Sequence, residues 1–181
     1  SHIKKTLKHP KADYEKRLIF CHKIQNYKNK GASLVWIDES GFAHDMPRTH
    51  GCAPKGERCF GISNWGARGR TNVIGALLGG VLLTVSLFST TVNTSVFTNW
   101  LQQDLIDKLP KNSVVIMDNA SFHKGDEMKK IILQNGHILE YLPPYSPDLN
   151  PIEKKWAQSK KLRRKQQCTV ESLFKNNVAI L

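Results

Sequence analysis

Leu34-Val35-Trp36-Ile37-Asp38-Glu39-Ser40-Gly41-Phe42 is the stretch on which the fold turns. Four consecutive apolar residues make a run too short for a helix. Their continuity, without polar alternation, is what a strand covered on both faces needs. The run stops at an acid. The same design returns in Ser113–His123, SVVIMDNASFH, where Val114 to Met117 lead into Asp118. A third apolar run, Ile138 to Leu142, leads into a proline-rich loop, Pro143 to Pro151. Two buried strands that each end in a carboxylate, with helical segments between them, predict an α/β domain. Its mixed central sheet carries helices on both faces.

The intervening segments fit that plan. Ala12 to Tyr27 reads as an amphipathic helix, with Tyr14, Leu18, Cys21 and Ile24 at helical spacing. Asn72 to Leu78 and Val81 to Phe88 predict a hairpin turning at Gly79-Gly80. Thr94 to Leu109 predicts a helix with Val96, Phe97, Trp100, Leu101, Leu105 and Leu109 on its apolar stripe, ended by Pro110. Asp126 to Gln134 is a shorter helix closed by Asn135-Gly136. Asn150 caps the next helix and Pro151 is its first residue; a last helix starts near Thr169. Residues 1–11 read as a linker, and residues 12–181 as one catalytic domain. Ser40 to Gly69 is rich in Gly, Pro and Arg, with short strands expected around Arg58 to Ile62.

Composition narrows the function classes. The 181 residues suffice for one sizeable core. The formal net charge is +12 and the isoelectric point is about 9.7. That excess favours a polyanion, and nucleic acid above all, through phosphate contacts and counterion release. Four scattered cysteines do not make a disulfide framework and fit a reducing compartment. The longest apolar stretch, Val73 to Phe88, is 16 residues, short of the roughly 20 that span a bilayer as a helix.

A basic chain with carboxylates at strand ends points to metal-dependent chemistry on a polyphosphate. Mg²⁺ takes oxygen ligands from one or two carboxylates, water and substrate phosphate. Two such ions can clamp an in-line phosphoryl displacement. Asp38 and Asp118 are two of the candidate metal ligands. Glu153 is the third: it is the third residue after the Asn150 cap, where the positive end of a helix favours an ionised carboxylate. Each acid has a plainer reading as a turn or capping residue. Glu39 rivals Asp38, but the two point to opposite faces of a strand, so only one is expected at the site. Asp148 rivals Glu153 and reads better as a turn residue.

The segments WIDESGF, VVIMDNASFHKG and LPPYSPDLNPIEKKW resemble the three catalytic blocks of the mariner superfamily of DDE transposases, and most closely its bacterial insertion-sequence branch. The likeness covers about residues 30 to 175. The 34 residues between Asp118 and Glu153 match that superfamily's spacing. The resemblance implies an RNase H-like fold, a catalytic triad of Asp38, Asp118 and Glu153, and two Mg²⁺ or Mn²⁺ ions. It implies cut-and-paste transposition of DNA with joining at TA dinucleotides, a homodimer in the transposition complex, and a bacterial cytoplasmic, nucleoid-associated setting. Transposases of this kind carry N-terminal helix-turn-helix domains that are not expected within this chain. The alternatives are an RNase H-like nuclease that only hydrolyses DNA, or a catalytically silent DNA-binding remnant.

Further residues follow from the same reading. Asn119, His123 and Asn150 flank the triad and are expected to orient carboxylates, water or phosphate. Lys154, Lys155, Lys160, Lys161, Arg163, Arg164 and Lys165 lie on the helix that follows Glu153 and form a candidate DNA-binding stripe. Trp156 on that helix reads as a core residue. Arg48, Lys55, Arg58, Arg68 and Arg70 form a second basic group, and Lys4, Lys5, Lys8 and Lys11 a basic arm. His44, His50, Cys52 and Cys59 match no standard zinc spacing.

Overall fold

The computed structural model describes residues 13–44 and 69–181. The basic arm, most of the second basic group (Arg48, Lys55, Arg58, Arg68), the strands expected around Arg58 to Ile62, and His50, Cys52 and Cys59 lie outside these residues. The elements in order are α1 (Tyr14–Asn29), β1 (Leu34–Ala43), β2 (Arg70–Leu78), β3 (Val81–Phe88) and α2 (Thr94–Trp100). They continue with β4 (Val114–Met117), α3 (Asp126–Gln134), β5 (Ile138–Tyr141), α4 (Ile152–Gln166) and α5 (Val170–Asn176). The strands form one sheet in the order β3-β2-β1-β4-β5. β1, β2 and β3 are antiparallel, while β4 and β5 run parallel to β1. No helix among the described residues is long and apolar enough to cross a membrane.

The pleat sorts side chains to two faces. Val35, Ile37, Ile74, Ala76, Val115 and Met117 face α2 and α3, where Phe97, Leu101, Leu105, Met128 and Ile132 cover them. On the other face, Phe42, Val73 and Leu77 pack against Ile152 and Trp156 of α4 and Leu173 and Phe174 of α5. Beside that cluster, Leu34, Val114 and Ile116 pack against Phe20 and Ile24 of α1. A sheet covered on both faces explains why β4 reads as an unbroken apolar run, every residue of it buried.

β1 does not stop where the sequence suggests. It runs through Asp38 to Ala43, because the antiparallel partner β2 lies opposite it all the way to Ala43↔Arg70. Only the parallel partner β4 ends early, with its last pair at Trp36↔Ile116. Asp38 is therefore a mid-strand residue at the point where one neighbouring strand has stopped. Continuing the register two residues brings Asp38 level with Asp118.

Helix α1 differs in its buried face. Of the expected stripe, Ile24 is buried, joined by Phe20, whereas Tyr14 and Leu18 are exposed and Cys21 is a free, exposed thiol. Both faces have apolar residues at helical spacing, and the sheet selected the one bearing the ring that meets Trp36 edge-on. The helix starting at Thr94 passes through a wide turn at Leu101–Leu105 and a tight one at Ile106–Lys108. Its expected apolar stripe is nevertheless buried at Phe97, Trp100, Leu101 and Leu105. Gly79 and Gly80 have φ of 59° and 80°, the left-handed pair that a two-residue hairpin turn requires.

Candidate active site

Asp38 is 5 % exposed on the sheet face that carries α4. Trp156 donates its indole N–H to Oδ2 of Asp38 at 3.3 Å. The ring approaches this closely because the strand residue opposite Asp38 is Gly75; a Cβ there would come within 2.5 Å of the indole. Asp118 lies just beyond β4. Its Oδ1 accepts from the backbone N–H of Ala120 at 2.9 Å and contacts His123 Nδ1 at 2.9 Å. Asp38, Glu39 and Asp118 each place one carboxylate oxygen within 4.8 Å of the other two.

Glu153 arrives from the far end of the chain. The Pro147–Leu149 turn delivers Asn150, whose backbone is extended. Asn150 Oδ1 accepts from Ile152 N–H at 3.3 Å, and its carbonyl accepts from Glu153 N–H at 3.1 Å. Asn150 thus caps α4 as the sequence suggests, and it is 2 % exposed. The first turn of α4 sets Glu153 beside the Asp38 carboxyl, close enough for each acid to feel the other. Asp118, Asn119, Tyr145, Asn150 and Glu153 line a cavity of about 480 Å³. The loop that shapes it is clamped by α1: Arg17 donates to both oxygens of Asp148 at 2.9 and 2.6 Å.

Like charges crowd this site. Burial, then the hydrogen bond and charge of Glu153, push the Asp38 carboxyl up to about 9. Asp118 goes the other way. Burial opposes its ionisation, but the hydrogen bond and charge of His123 outweigh that and hold it below the ordinary carboxylate value. His123 has no exposed surface. Burial disfavours its charge, yet its bonds to Asp118 and Glu39 raise it to about 10. The ring is ringed by acceptors: Asp118 Oδ1, the Asp118 carbonyl at 3.0 Å, and Glu39 Oε1 at 2.7 Å. An imidazolium with both N–H groups donating satisfies all three.

The structure therefore brings Asp38, Asp118 and Glu153 together, with His123 and Asn150 buried around them and Asn119 on the cavity wall. Two expectations are corrected. Glu39 does point to the opposite face from Asp38, but its long side chain still brings an oxygen to the cluster. Alternation governs where Cβ points, not how far a glutamate reaches. Arg163 is not part of an exposed stripe: it is 7 % exposed, with Nη1 on the carbonyl of Ala43 at 2.7 Å and Nε on that of Cys168 at 3.0 Å. It faces the sheet with Trp156 and Ser159, one helical turn apart. Lys154, Lys161, Arg164 and Lys165 are exposed, and Lys155 and Lys160 half-buried. Lys160 Nζ sits 5.2 Å over the Phe42 ring. Of the remaining basic and zinc candidates, Arg70 is exposed on β2 and His44 Nε2 contacts Thr71 Oγ1 at 2.8 Å.

With this geometry in hand, sequence comparison decides the family. The model of the DDE superfamily endonucleases matches residues 33–173. The chain belongs to the DDE superfamily endonuclease family. Several solved structures resemble this DDE chain. A Mos1 transposase paired-end complex with left transposon end is 21 % identical, with a TM-score of 0.65 over 89 % of this chain and 52 % of that one. A Mos1 mariner paired end complex with Mn is 20 % identical, with a TM-score of 0.67 over 93 % of this chain and 55 % of the other. The catalytic domain of Mos1 mariner transposase is 17 % identical, with a TM-score of 0.62 over 93 % of this chain and 81 % of that domain. At these identities the likeness establishes the fold, which is RNase H-like. The DDE chain spans about half the length of the transposase chains in those complexes. Comparison with curated proteins gives no match.

The sequence reading passed over two features of the DDE site. Trp156 lies in the core, as the sequence suggests, and it also bonds Asp38. The signal was available in Gly75, an otherwise unexplained glycine inside an apolar strand. Alternation alone leaves Glu39 out of the site, but a half-buried acid within reach of a buried histidine is a natural pair.

Proposed function

We propose that this chain is the catalytic domain of a DNA transposase that cuts DNA at transposon ends and joins them to a target. One observation carries the reading: Asp118, from just beyond β4, and Glu153, from the first turn of α4, line one cavity, and the buried Asp38 of β1 lies beside both. The donor set fits hard divalent cations. It is all oxygen, it is partly buried, and burial followed by the neighbouring Glu153 raises the Asp38 carboxyl far above the ordinary carboxylate range, a load that a cation would relieve. Asp38, Asp118 and Glu153 would hold two Mg²⁺ or Mn²⁺ ions, which when bound supply activation of the attacking oxygen and stabilisation of the leaving one. The chain's own residues do the rest. Asp38 is fixed by Trp156, Asp118 by Ala120 N–H and His123, and Glu153 by the α4 cap at Asn150. Asn119 on the cavity wall is placed to orient water or a phosphate oxygen.

Two phosphoryl transfers use the same site. Water cleaves the strand at the transposon end, and the freed 3′-hydroxyl then attacks a target phosphodiester. The exposed cations of α4 extend from the site: Arg164 lies on the Glu153 line of the helix, three turns on, and Lys161 and Lys165 beside it. A DNA backbone entering the cavity meets them in sequence. The motif likeness supports the insertion-sequence branch, TA targets, a homodimer with paired ends, and a bacterial nucleoid setting. The test is cleavage and joining of end-containing DNA with Mg²⁺ or Mn²⁺. Wild type is active and Asp118→Ala is inactive; activity in Asp118→Ala overturns the reading. Joining of pre-cut ends separates a transposase from a nuclease that only hydrolyses.

A further inference from the structure

We infer that Glu39 is a positioning residue: acting through His123 from the opposite face of the sheet, it fixes the Asp118 carboxylate and thereby sets how tightly the site holds its cations. This rests on the reading of Asp118 as a metal ligand.

Asp118 sits where β4 has ended, in a segment with no ladder partner to hold it. Its carboxylate is half-exposed and would rotate freely unless tied. Both of its side-chain contacts, Ala120 N–H and His123 Nδ1, fall on Oδ1, which leaves Oδ2 for a ligand from outside the chain. The orientation of that carboxylate is therefore only as good as the orientation of the imidazole.

The imidazole is fixed on every side. Phe97 and Phe122 pack against it with ring centroids 4.5 and 4.3 Å away. The backbone carbonyl of His123 accepts from the Tyr141 hydroxyl. The packing sets the plane of the ring but does not choose between its two flipped orientations. Acceptors at the two nitrogens make that choice together: the Asp118 carbonyl at Nδ1, 3.0 Å away, and Glu39 Oε1 at Nε2, 2.7 Å away. Without Glu39, the buried Nε2–H would lose its acceptor, and the ring would shift or admit water to satisfy it. Oδ1 of Asp118 would then lose its donor. Carboxylate or carbonyl partners that orient a metal-site group in this way alter affinity or activity by about 10–100-fold when removed. Asp38 and Glu39, adjacent in sequence, thus serve one site from two faces of β1: Asp38 directly, and Glu39 at the edge of the acidic cluster with its Oε1 committed to His123.

The experiment is Mn²⁺ binding to this chain without DNA, read by electron paramagnetic resonance, with DNA affinity in EDTA measured alongside. Glu39→Ala is expected to weaken Mn²⁺ binding by about tenfold or more, with DNA affinity unchanged. Glu39→Gln keeps an acceptor oxygen for Nε2 and is expected to restore binding to near the wild-type value. Glu39→Leu fills the same volume on an apolar face and serves if the alanine variant does not fold. Wild-type Mn²⁺ affinity in Glu39→Ala or Glu39→Leu overturns the inference, and so does a glutamine variant as weak as alanine. If alanine and leucine both fail to fold while glutamine behaves as wild type, the pair is structural and the inference falls. Asp118→Asn separates this from the larger reading. If Asp118→Asn binds Mn²⁺ as wild type does, Asp118 is no ligand; if it loses binding while Glu39→Ala keeps it, only the role of Glu39 fails.

Discussion

Trp156 donates its indole N–H to Oδ2 of Asp38 across 118 positions of sequence. The bond links the helix that carries Glu153 to the strand that carries Asp38, so the two acids are held in one frame. Trp156→Phe keeps the apolar ring and removes the donor. With no metal the Asp38 carboxyl is protonated and the bond is worth about 1 kcal/mol, the usual net value. With metal the carboxylate is ionised and the lost donor matters more. Urea unfolding is expected to show a small loss without Mn²⁺, while Mn²⁺ half-saturation of cleavage rises by about tenfold.

Metal binding is expected to release protons. The folded Asp38 carboxyl lies at about 9 against an ordinary 3.8, so the metal-free native state binds more protons than the unfolded chain between those values. Its contribution to stability therefore falls as pH rises through about 9. His123, raised from 6.5 to about 10, contributes stability that is complete below 6.5 and lost as pH rises through about 10. Both act in the same direction, so the melting temperature of the metal-free protein declines from pH 7 to pH 10. Saturating Mg²⁺ removes the Asp38 part. Calorimetry at pH 7 in buffers of different ionisation enthalpy should give roughly one proton released per site filled. A metal-free melting temperature that rises over this range contradicts the assignment.

Arg163 and its neighbours on α4 separate by function. Arg163→Ala strands the carbonyls of Ala43 and Cys168 and removes a buried cation. A loss of about 3 kcal/mol is expected, from two charge-assisted bonds. Alanine at Lys161, Arg164 and Lys165 together is expected to cost under about 0.5 kcal/mol each. DNA affinity then falls, and the slope of log K against log salt flattens by about 2–3, at roughly 0.9 per phosphate contact. Urea unfolding and a salt titration of DNA binding check both halves.

Arg17 holds the loop ahead of α4 through both oxygens of Asp148. Its side chain is 11 % exposed and that of Asp148 31 %, so solvent screens the pair only in part. Arg17→Ala is expected to cost about 1 kcal/mol, at the upper end for a pair near the surface with bidentate geometry. Limited proteolysis should then find residues 143–151 more accessible, and cleavage activity should fall before global unfolding does.

Much of this was legible in the chain. Two short apolar runs ending in Asp38 and Asp118 mark adjacent strands because a buried parallel pair must be apolar throughout, and equal run lengths bring their acids level. The cap at Asn150 placed Glu153 in the first turn of α4 because capping chemistry is local. The face that α1 buries was only partly legible: Ile24 lies on it as expected, but Phe20 shares it in place of Tyr14 and Leu18. Nor was the inward turn of Arg163, one cation among seven on a helix whose rotation is set by Trp156 and Ile152 packing on the sheet.

The sequence by itself determined what is local: the apolar runs of the strands and the acids that end them, the hairpin at Gly79-Gly80, and the cap of α4. Only the tertiary structure decided which side chains meet across the sheet, from Glu39 with His123 to Trp156 with Asp38. The reason is physical. Backbone periodicity is written within a few residues, whereas a contact between distant segments depends on strand register, helix rotation and the reach of the side chains.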